Sequence, residues 1–267
     1  MKPGLGSYAF RWSIGIKDRI PETPKSAFDL LSEARRLGLK VVQYADNLPL
    51  DRLSEKDQHR LYETANDMGI ALELGTQCFD ADQVERYLII GQRLKASILR
   101  VALDEKDKLI PVPQLAEQLR PLLDKARLAG IRIAIENHFN YPSVRMVELL
   151  DAVNDDTLGV CLDVANSICA GEWPEQTVTL LAPYTINLHF KDYVIVPDHY
   201  GVGFSIYGVP LGQGRAPLQW ILDQLAHCPA EMSVILEHWL PYDRKDEESH
   251  WLDQSVAAAN KLLQARL

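Results

Sequence analysis

Four short apolar segments of this chain each end in a side chain that can bind a metal ion. The segments are IAIE, VCLD, INLH and VILE, and their last residues are Glu136, Asp163, His189 and Glu237. Three carboxylates and one imidazole form a mostly hard, oxygen-rich ligand set, which favours Mn²⁺, Mg²⁺ or Co²⁺ and also accommodates Zn²⁺. The pattern predicts one divalent-metal site, with Mn²⁺ as the expected ion.

Each of these acids also has a simpler interpretation. An acid placed just after a strand often caps the helix that follows, and for any single residue this interpretation is as good as a ligand. Four polar groups at the ends of successive strands are harder to explain in this way, because buried charges without a counter-ion are costly. A shared metal site is therefore the preferred interpretation.

Short apolar runs recur along the chain, and several carry apolar residues at consecutive positions. Such runs are typical of strands that are covered on both faces of a parallel sheet. Eight strands are predicted, at residues 5–10, 40–44, 71–75, 98–102, 131–135, 158–162, 185–190 and 232–236.

Segments with helical periodicity lie between these runs. Thr23 and Pro24 predict the start of the first helix and Gly38 its end, while Ser54 with Asp57 predicts the start of the second. Later helices are predicted at residues 113–128, 144–153, 175–181, 217–226 and 247–265. The alternation predicts a closed barrel or an open doubly wound sheet. Because LGSYAFRW stands where a glycine-rich phosphate loop would follow the first strand, we expect an α/β fold of the (β/α)8 TIM-barrel class.

We expect this barrel to be a single domain over residues 1–267. The C-terminal ends of barrel strands meet at one face, so the four candidate ligands should converge there. A long segment, residues 194–215, is predicted to be a loop that covers the site.

The bulk composition restricts the partners. The 267-residue chain has a net charge of −9, which repels a phosphate backbone and argues against nucleic acid. No stretch has the roughly 20 apolar residues of a membrane helix, and the N-terminus lacks a signal peptide's apolar core. The four cysteines show no CxxC spacing, which is typical of a reducing compartment. We expect a cytoplasmic protein that binds a small carbohydrate or sugar-acid molecule. The sequence neither predicts nor excludes a homo-oligomer.

The strand-end motifs together resemble the xylose isomerase-like TIM-barrel superfamily, of sugar phosphate isomerase/epimerase and AP endonuclease family 2 type. They are ENH at 136–138, LDVANS at 162–167, HFKD at 189–192 and LEH at 236–238, joined by the glycine-rich segment GVPLGQG at 208–214. The resemblance covers nearly the whole chain. It implies that Glu136, Asp163, His189 and Glu237 are the metal ligands and that Glu136 and Glu237 are the acid and base.

Two departures from the ketose epimerases of that superfamily bear on the substrate. Those enzymes have a histidine shortly after the strand-six aspartate, where this chain has Val-Ala-Asn at 164–166. They also have an arginine and a glutamate after the strand-five glutamate, where this chain has His-Phe-Asn at 138–140. The substrate contacts must therefore differ, which disfavours a plain ketohexose epimerase.

Further residues are candidate substrate contacts, although each also has a structural interpretation as a strand-end, loop, core or helix-start residue. Lys191 and His138 each follow a ligand by two positions, on the same side of the strand. Arg100, inside an apolar strand, requires a carboxylate, which is Glu73, Glu136 or an acidic substrate. The candidates are Lys191, His138, Arg100, Trp12, Asn166 and Arg215.

The preferred function is isomerisation or epimerisation of a sugar or sugar acid, with proton transfer through a metal-stabilised enediolate. The alternative is a decarboxylase or lyase that acts on a 3-oxo sugar acid or 3-oxo-glycoside. A DNA endonuclease would need a histidine-rich multi-metal site and a basic face. A non-catalytic sugar-binding barrel would not need two glutamates at the metal.

Overall fold

The computed structural model describes residues 1–264, and within them eight parallel strands close into a barrel in the order β1-β10-β7-β6-β5-β4-β3-β2. The barrel strands are β1 Lys2–Gly6, β2 Val41–Tyr44, β3 Ala71–Gln77, β4 Ile98–Leu103, β5 Arg132–Asn137, β6 Leu158–Asp163, β7 Thr185–Phe190 and β10 Ser233–Leu236. Two more strands, β8 Asp192–Pro197 and β9 Phe204–Val209, form a separate sheet. The predicted TIM-barrel fold is confirmed.

Helices surround the barrel. They are α1 Arg11–Ile14, α2 Ala27–Arg36, α3 Glu55–Asp67, α4 Ala81–Leu94, α5 Val112–Ala129, α6 Ser143–Val153, α7 Pro174–Leu181, α8 Leu218–Gln224 and α9 Glu248–Gln264. Helix α4 was absent from the predicted set, and residue 265 of the predicted last helix lies outside the described residues. In the described part of the chain, no helix is both long and apolar enough to cross a membrane.

The predicted first strand, residues 5–10, is wrong beyond Gly6. β1 ends at Gly6, and Ser7–Phe10 forms a 3-10 helix that leads into α1. The alternation of Tyr8, Phe10 and Trp12 is typical of a strand, but Tyr8 and Phe10 lie in the 3-10 helix and Trp12 lies in α1.

The first helix also begins later than predicted. Its N-cap is Ser26, which forms a capping box with Asp29, rather than Thr23. The second helix begins as expected, because the Ser54 side chain accepts a hydrogen bond from the backbone N–H of Asp57. A capping box satisfies two backbone donors, which explains why the Ser26 signal prevails over the proline at 24.

The segment predicted as a loop contains a β-hairpin, since β8 pairs with β9 in antiparallel fashion. Behind this hairpin the glycine-rich segment wraps around Asp192, whose carboxylate accepts backbone hydrogen bonds from Gly212, Gly214 and Ala216. A Cβ at Gly214 would lie 2.2 Å from Asp192 Oδ1, so only glycine permits this approach. These hydrogen bonds fix the chain at residues 212–216, between β9 and the helix that precedes β10.

Candidate metal centre

The four predicted ligands lie together at the C-terminal end of the barrel. Asp163 ends β6 and pairs in register with His189 of β7, Glu136 lies near the end of β5, and Glu237 directly follows β10. Each side chain is at most 5% exposed. Strand geometry alone therefore brings four ligand groups to one buried point.

The distances centre on the imidazole of His189. Its Nδ1 lies 3.2 Å from Glu136 Oε1, 3.4 Å from Glu237 Oε2 and 3.9 Å from Asp163 Oδ2. One ligand atom from each of Glu136, Asp163 and His189 lies within 4.8 Å of the others. A single cation can contact groups that are this close.

Two ligand-type atoms of the cluster, His189 Nδ1 and Glu237 Oε1, make no hydrogen bond with any described residue. Two more, Glu136 Oε2 and Asp163 Oδ2, contact the side-chain cations of Arg100 and Lys191. Asp163 illustrates the arrangement, because its Oδ1 accepts the backbone N–H groups of Ala165 and Asn166, which leaves Oδ2 for the centre. Buried polar atoms are normally satisfied, so the donor set fits a divalent cation. The identity of the ion stays a prediction.

A buried amide fixes the orientation of His189. Gln43 donates from its Nε2 to Glu73 Oε2 at 3.0 Å and to Asn187 Oδ1 at 3.2 Å. Its Oε1 therefore faces His189 Nε2, at 2.6 Å. Because an amide oxygen only accepts, His189 Nε2 carries the proton and Nδ1 faces the carboxylates.

Glu73 anchors this amide from below. It accepts hydrogen bonds from Gln43, from Asn187 at 3.0 Å and from Ser233. Burial raises the pKa of Glu73, and these donors offset part of that rise. Arg100 does not pair with Glu73, although Glu73 was one of the two protein carboxylates expected as its partner.

Arg100 and Lys191 neutralise the ligand carboxylates. Arg100 Nε contacts Glu136 Oε2, and its Nη1 lies 3.3 Å from Asp46 Oδ1. Lys191 Nζ lies 2.6 Å from Asp163 Oδ2 and 3.1 Å from Glu237 Oε2. Both cations are already committed to carboxylates of the protein.

These contacts shift the pKa values of the centre. Burial alone would raise the pKa of Glu136, but Arg100 and His189 outweigh it and hold that pKa well below its usual range. Burial alone would lower the pKa of Lys191, but Asp163 and Glu237 raise it, so the ammonium keeps its proton. Burial raises the pKa of Asp163, and Lys191 offsets part of the rise.

The pKa of His189 follows the same electrostatic balance. Burial alone would lower it, but Cys161, Glu237 and Glu136 raise it well above the ordinary value. The surrounding carboxylates thus favour a positive charge at Nδ1, either a proton or a metal ion. Since the two compete for this nitrogen, metal affinity should fall as the pH falls.

A cavity of about 820 Å³ opens above the centre. Four predicted contacts line it, Arg100, His138, Asn166 and Lys191, while Trp12 and Arg215 do not. Trp12 Nε1 instead donates to a backbone carbonyl at 2.9 Å, and Arg215 is exposed after the glycine-rich segment.

The cavity has further lining residues outside the six predicted substrate contacts. Tyr8 donates to Asp46 Oδ2 at 2.9 Å, and Asp104 lies 3.0 Å from His138 Nδ1. Arg11 lines the cavity from α1, beyond the end of the first strand. Arg11 could have been found from its position shortly after the first strand. The predicted strand extended to residue 10, so the turn after Gly6 was not predicted.

Two further residues shape the ligand side of the cavity. His238 is 3% exposed, and burial lowers its pKa to about 4. Gly6 lies against Glu237, because a Cβ there would be 2.8 Å from Glu237 Cγ and 2.9 Å from Oε1. Gly6 therefore makes room for the carboxylate of Glu237, a candidate ligand.

Comparison with known proteins agrees with this architecture. The 3-oxo-isoapionate decarboxylase of Pectobacterium atrosepticum is 28% identical over 255 residues, which are 96% of this chain and 92% of that protein. A xylose isomerase-like TIM-barrel protein from Mycobacterium smegmatis, solved in complex with magnesium, has a TM-score of 0.73 at 18% identity and covers 100% of this chain and 97% of its own.

D-Psicose 3-epimerase from Clostridium cellulolyticum H10, solved with D-tagatose, superposes with a TM-score of 0.69 at 18% identity, over 100% of this chain and 95% of its own. The family model described as the xylose isomerase-like TIM barrel matches residues 31–259. That span contains all four candidate ligands, and the chain belongs to the xylose isomerase-like TIM-barrel family.

Proposed function

We propose that this chain is a divalent-metal-dependent enzyme that acts beside the carbonyl group of a sugar acid and releases the carboxylate as CO₂. The observation that carries this proposal is the buried cluster of Glu136, Asp163, His189 and Glu237 below a cavity of sugar size. A bound cation supplies Lewis-acid stabilisation of the negative charge that develops on the substrate oxygens. Isomerases, epimerases and decarboxylases of such substrates share this requirement.

The hydrogen bonds of Glu136 support the decarboxylase among these. Arg100 contacts its Oε2, and Asn166 Nδ2 donates to its Oε1 at 3.1 Å. A carboxylate held on both oxygens is suited to a fixed ligand rather than to a base that moves toward substrate. Epimerisation with a proton removed on one face and returned on the other uses two mobile groups. Decarboxylation requires a single proton donor.

The reaction balances with the residues of this cavity. The bond between the carboxylate carbon and its neighbour breaks, CO₂ leaves, and the electron pair passes into the carbonyl to give an enediolate. A proton from Lys191 to the carbon completes the product, and the amine regains its proton from solvent. Lys191 lines the cavity beside Asp163 and Glu237, which keep it protonated.

The likeness to 3-oxo-isoapionate decarboxylase supports the same choice. A 3-oxo acid has its carbonyl two bonds from the carboxylate, and this arrangement lets the electron pair of the broken bond enter the carbonyl. Isomerisation or epimerisation is the second candidate, because Glu136 and Glu237 both line the cavity and could serve as an acid and base pair.

One experiment in D₂O separates the candidates. Protein loaded with Mn²⁺, and chelated protein as a control, would be incubated with 3-oxo sugar acids and with ketoses. We expect metal-dependent CO₂ release, with one deuterium in each product molecule by mass spectrometry. Deuterium in recovered ketose without CO₂ would instead establish the isomerase or epimerase. Neither reaction in the metal-loaded protein would refute metal-dependent carbonyl chemistry on these substrates.

A further inference from the structure

Arg11 is a cation in the cavity that has no carboxylate partner. Its Nε is buried and makes no hydrogen bond, and among residues 1–264 no carboxylate lies within ion-pair distance of its guanidinium. Its neighbours are instead the faces of two aromatic rings, Tyr8 at 5.4 Å and Trp12 at 5.8 Å. Cation–π contacts stabilise the charge but leave the hydrogen-bond donors of the guanidinium unused.

The other deep cations of the cavity differ from Arg11. Arg100 pairs with Glu136 and Asp46, and Lys191 pairs with Asp163 and Glu237. Arginine does not lose its proton in proteins, so it cannot escape the cost of burial by becoming neutral. The carboxylates of Glu237 and Glu248 act on the Arg11 guanidinium only from beyond ion-pair distance, so a bound anion would offset the remaining cost of its burial.

The mouth of the cavity also carries positive charge. Lys17 and Arg52 line the rim and are exposed, and within the described chain neither forms an ion pair. The acids of the wall are engaged, since Asp46 bonds with Tyr8 and Asp104 lies beside His138. The unpaired charge of this cavity is thus positive although the whole chain is acidic, which steers an anionic molecule inward.

Arg11 shares its cavity with part of the candidate metal centre, since Arg11, Glu237 and His238 all line it. His238 Nε2 is a second buried nitrogen there without a hydrogen-bond partner in the described residues. One sugar-sized molecule can therefore contact the metal centre and Arg11 together.

We propose that Arg11 binds the carboxylate of the substrate, with His238 Nε2 beside it. The inference rests on the proposed function and adds the group that recognises the acid. A guanidinium matches a carboxylate with two parallel hydrogen bonds. One guanidinium and one imidazole suit a monoanion better than a phosphate dianion.

The proposal has a kinetic signature. As CO₂ forms, the negative charge moves from the carboxylate to the enediolate oxygens, so the contact with Arg11 weakens during the reaction. An interaction made in the ground state and lost in the transition state acts on substrate binding and does not raise turnover. Loss of Arg11 should raise KM far more than it lowers kcat.

The test compares Arg11→Gln and Arg11→Lys with Arg215→Gln, which removes the same charge from an exposed site outside the cavity. Binding of 2-keto-D-gluconate, D-fructose and D-fructose 6-phosphate to the Mn²⁺-loaded proteins is measured by calorimetry, with circular dichroism and metal content as controls. Wild type should prefer the keto acid. Arg11→Gln should weaken that binding by roughly ten- to a hundred-fold and leave fructose unchanged. Arg11→Lys should retain part of the affinity, and Arg215→Gln all of it.

Three outcomes would overturn the proposal. Wild type could show no preference for the keto acid, Arg11→Gln could bind it as tightly as wild type, or the phosphate ester could be preferred and lose affinity in Arg11→Gln. Persistent Mn²⁺-dependent CO₂ release would then show that the proposed function stands without this anchor. Conversely, selective loss of keto-acid affinity in a protein that releases no CO₂ would support the anchor and reject the decarboxylase.

Discussion

Gln43 should control the affinity of the metal centre although it is not a ligand. Gln43→Leu keeps a similar volume but removes the acceptor of the His189 Nε2 proton and the donor to Glu73. Losing the hydrogen-bond partner of a metal-binding histidine typically weakens metal affinity about 10- to 100-fold. This corresponds to about 1.4–2.8 kcal/mol. Because both abandoned groups are buried, the free energy of unfolding should also fall, by about 1–3 kcal/mol for each.

Ser233→Ala is the matched control. Ser233 donates to Glu73 and accepts from Asn187 at 2.8 Å, so it belongs to the same network, but it contacts no ligand. Its removal should destabilise the metal-free protein to a similar extent and leave metal affinity within about threefold of wild type. The pair separates the positioning of His189 from general loss of stability.

The assay has two parts. Urea unfolding of metal-free protein measures stability, and Mn²⁺ competition against a chelator measures the dissociation constant at fixed pH. If Gln43→Leu and Ser233→Ala bind Mn²⁺ with equal affinity, the amide does not position His189 and the tautomer argument fails.

Three further predictions concern other parts of the same site. Lys191→Met should lower the turnover of a 3-oxo sugar acid, measured by CO₂ release, by about 100-fold or more. The affinity for 2-keto-D-gluconate, measured by calorimetry, should change little, and a large loss would show that Lys191 binds the carboxylate. Gly6→Ala should displace Glu237 and weaken Mn²⁺ binding in a chelator competition, whereas wild-type affinity would show that Glu237 is not held there. Asp192→Ala should lower the free energy of unfolding by about 3 kcal/mol, because backbone donors lose a charged acceptor; a change below about 1 kcal/mol in urea unfolding would contradict this.

The ligand cluster was predictable from sequence for a physical reason. Buried parallel strands are apolar at consecutive positions, so a charged residue at the end of such a run is conspicuous. Closure of the barrel then brings strand ends together, and Glu136, Asp163, His189 and Glu237 needed no further information to converge. Proximity of these groups follows from topology.

Other features depend on packing that local patterns do not encode. The alternation of Tyr8, Phe10 and Trp12 fits a strand, but the chain turns into a helix after Gly6. Helix α4 carries an internal glycine, which lowers helix propensity, and tertiary packing overrides it. The segment that became the β8–β9 hairpin has a glycine-rich tip and was predicted as a loop.

The hydrogen-bond partners were the least predictable part. Gln43 and Glu73 lie inside strands as isolated polar residues, and nothing local indicates which distant group they meet. Arg100 illustrates the limit, since its need for a carboxylate was clear from its apolar strand but Glu73 and Glu136 were equal candidates. Only the barrel geometry selects Glu136.

The ion pairs of the cavity determine which cation is able to bind the carboxylate of the substrate. From the sequence, Lys191 is a candidate substrate contact because it follows His189 on the same side of the strand, and it could polarise a carbonyl or hold a carboxylate. In the structure its ammonium already contacts Asp163 and Glu237, and a substrate anion there would compete with two fixed carboxylates. No carboxylate of the described chain lies within ion-pair distance of Arg11, so binding an anion there replaces no direct partner. Recognition and proton transfer can therefore fall to different cations, and Arg11→Gln and Lys191→Met should separate affinity from turnover.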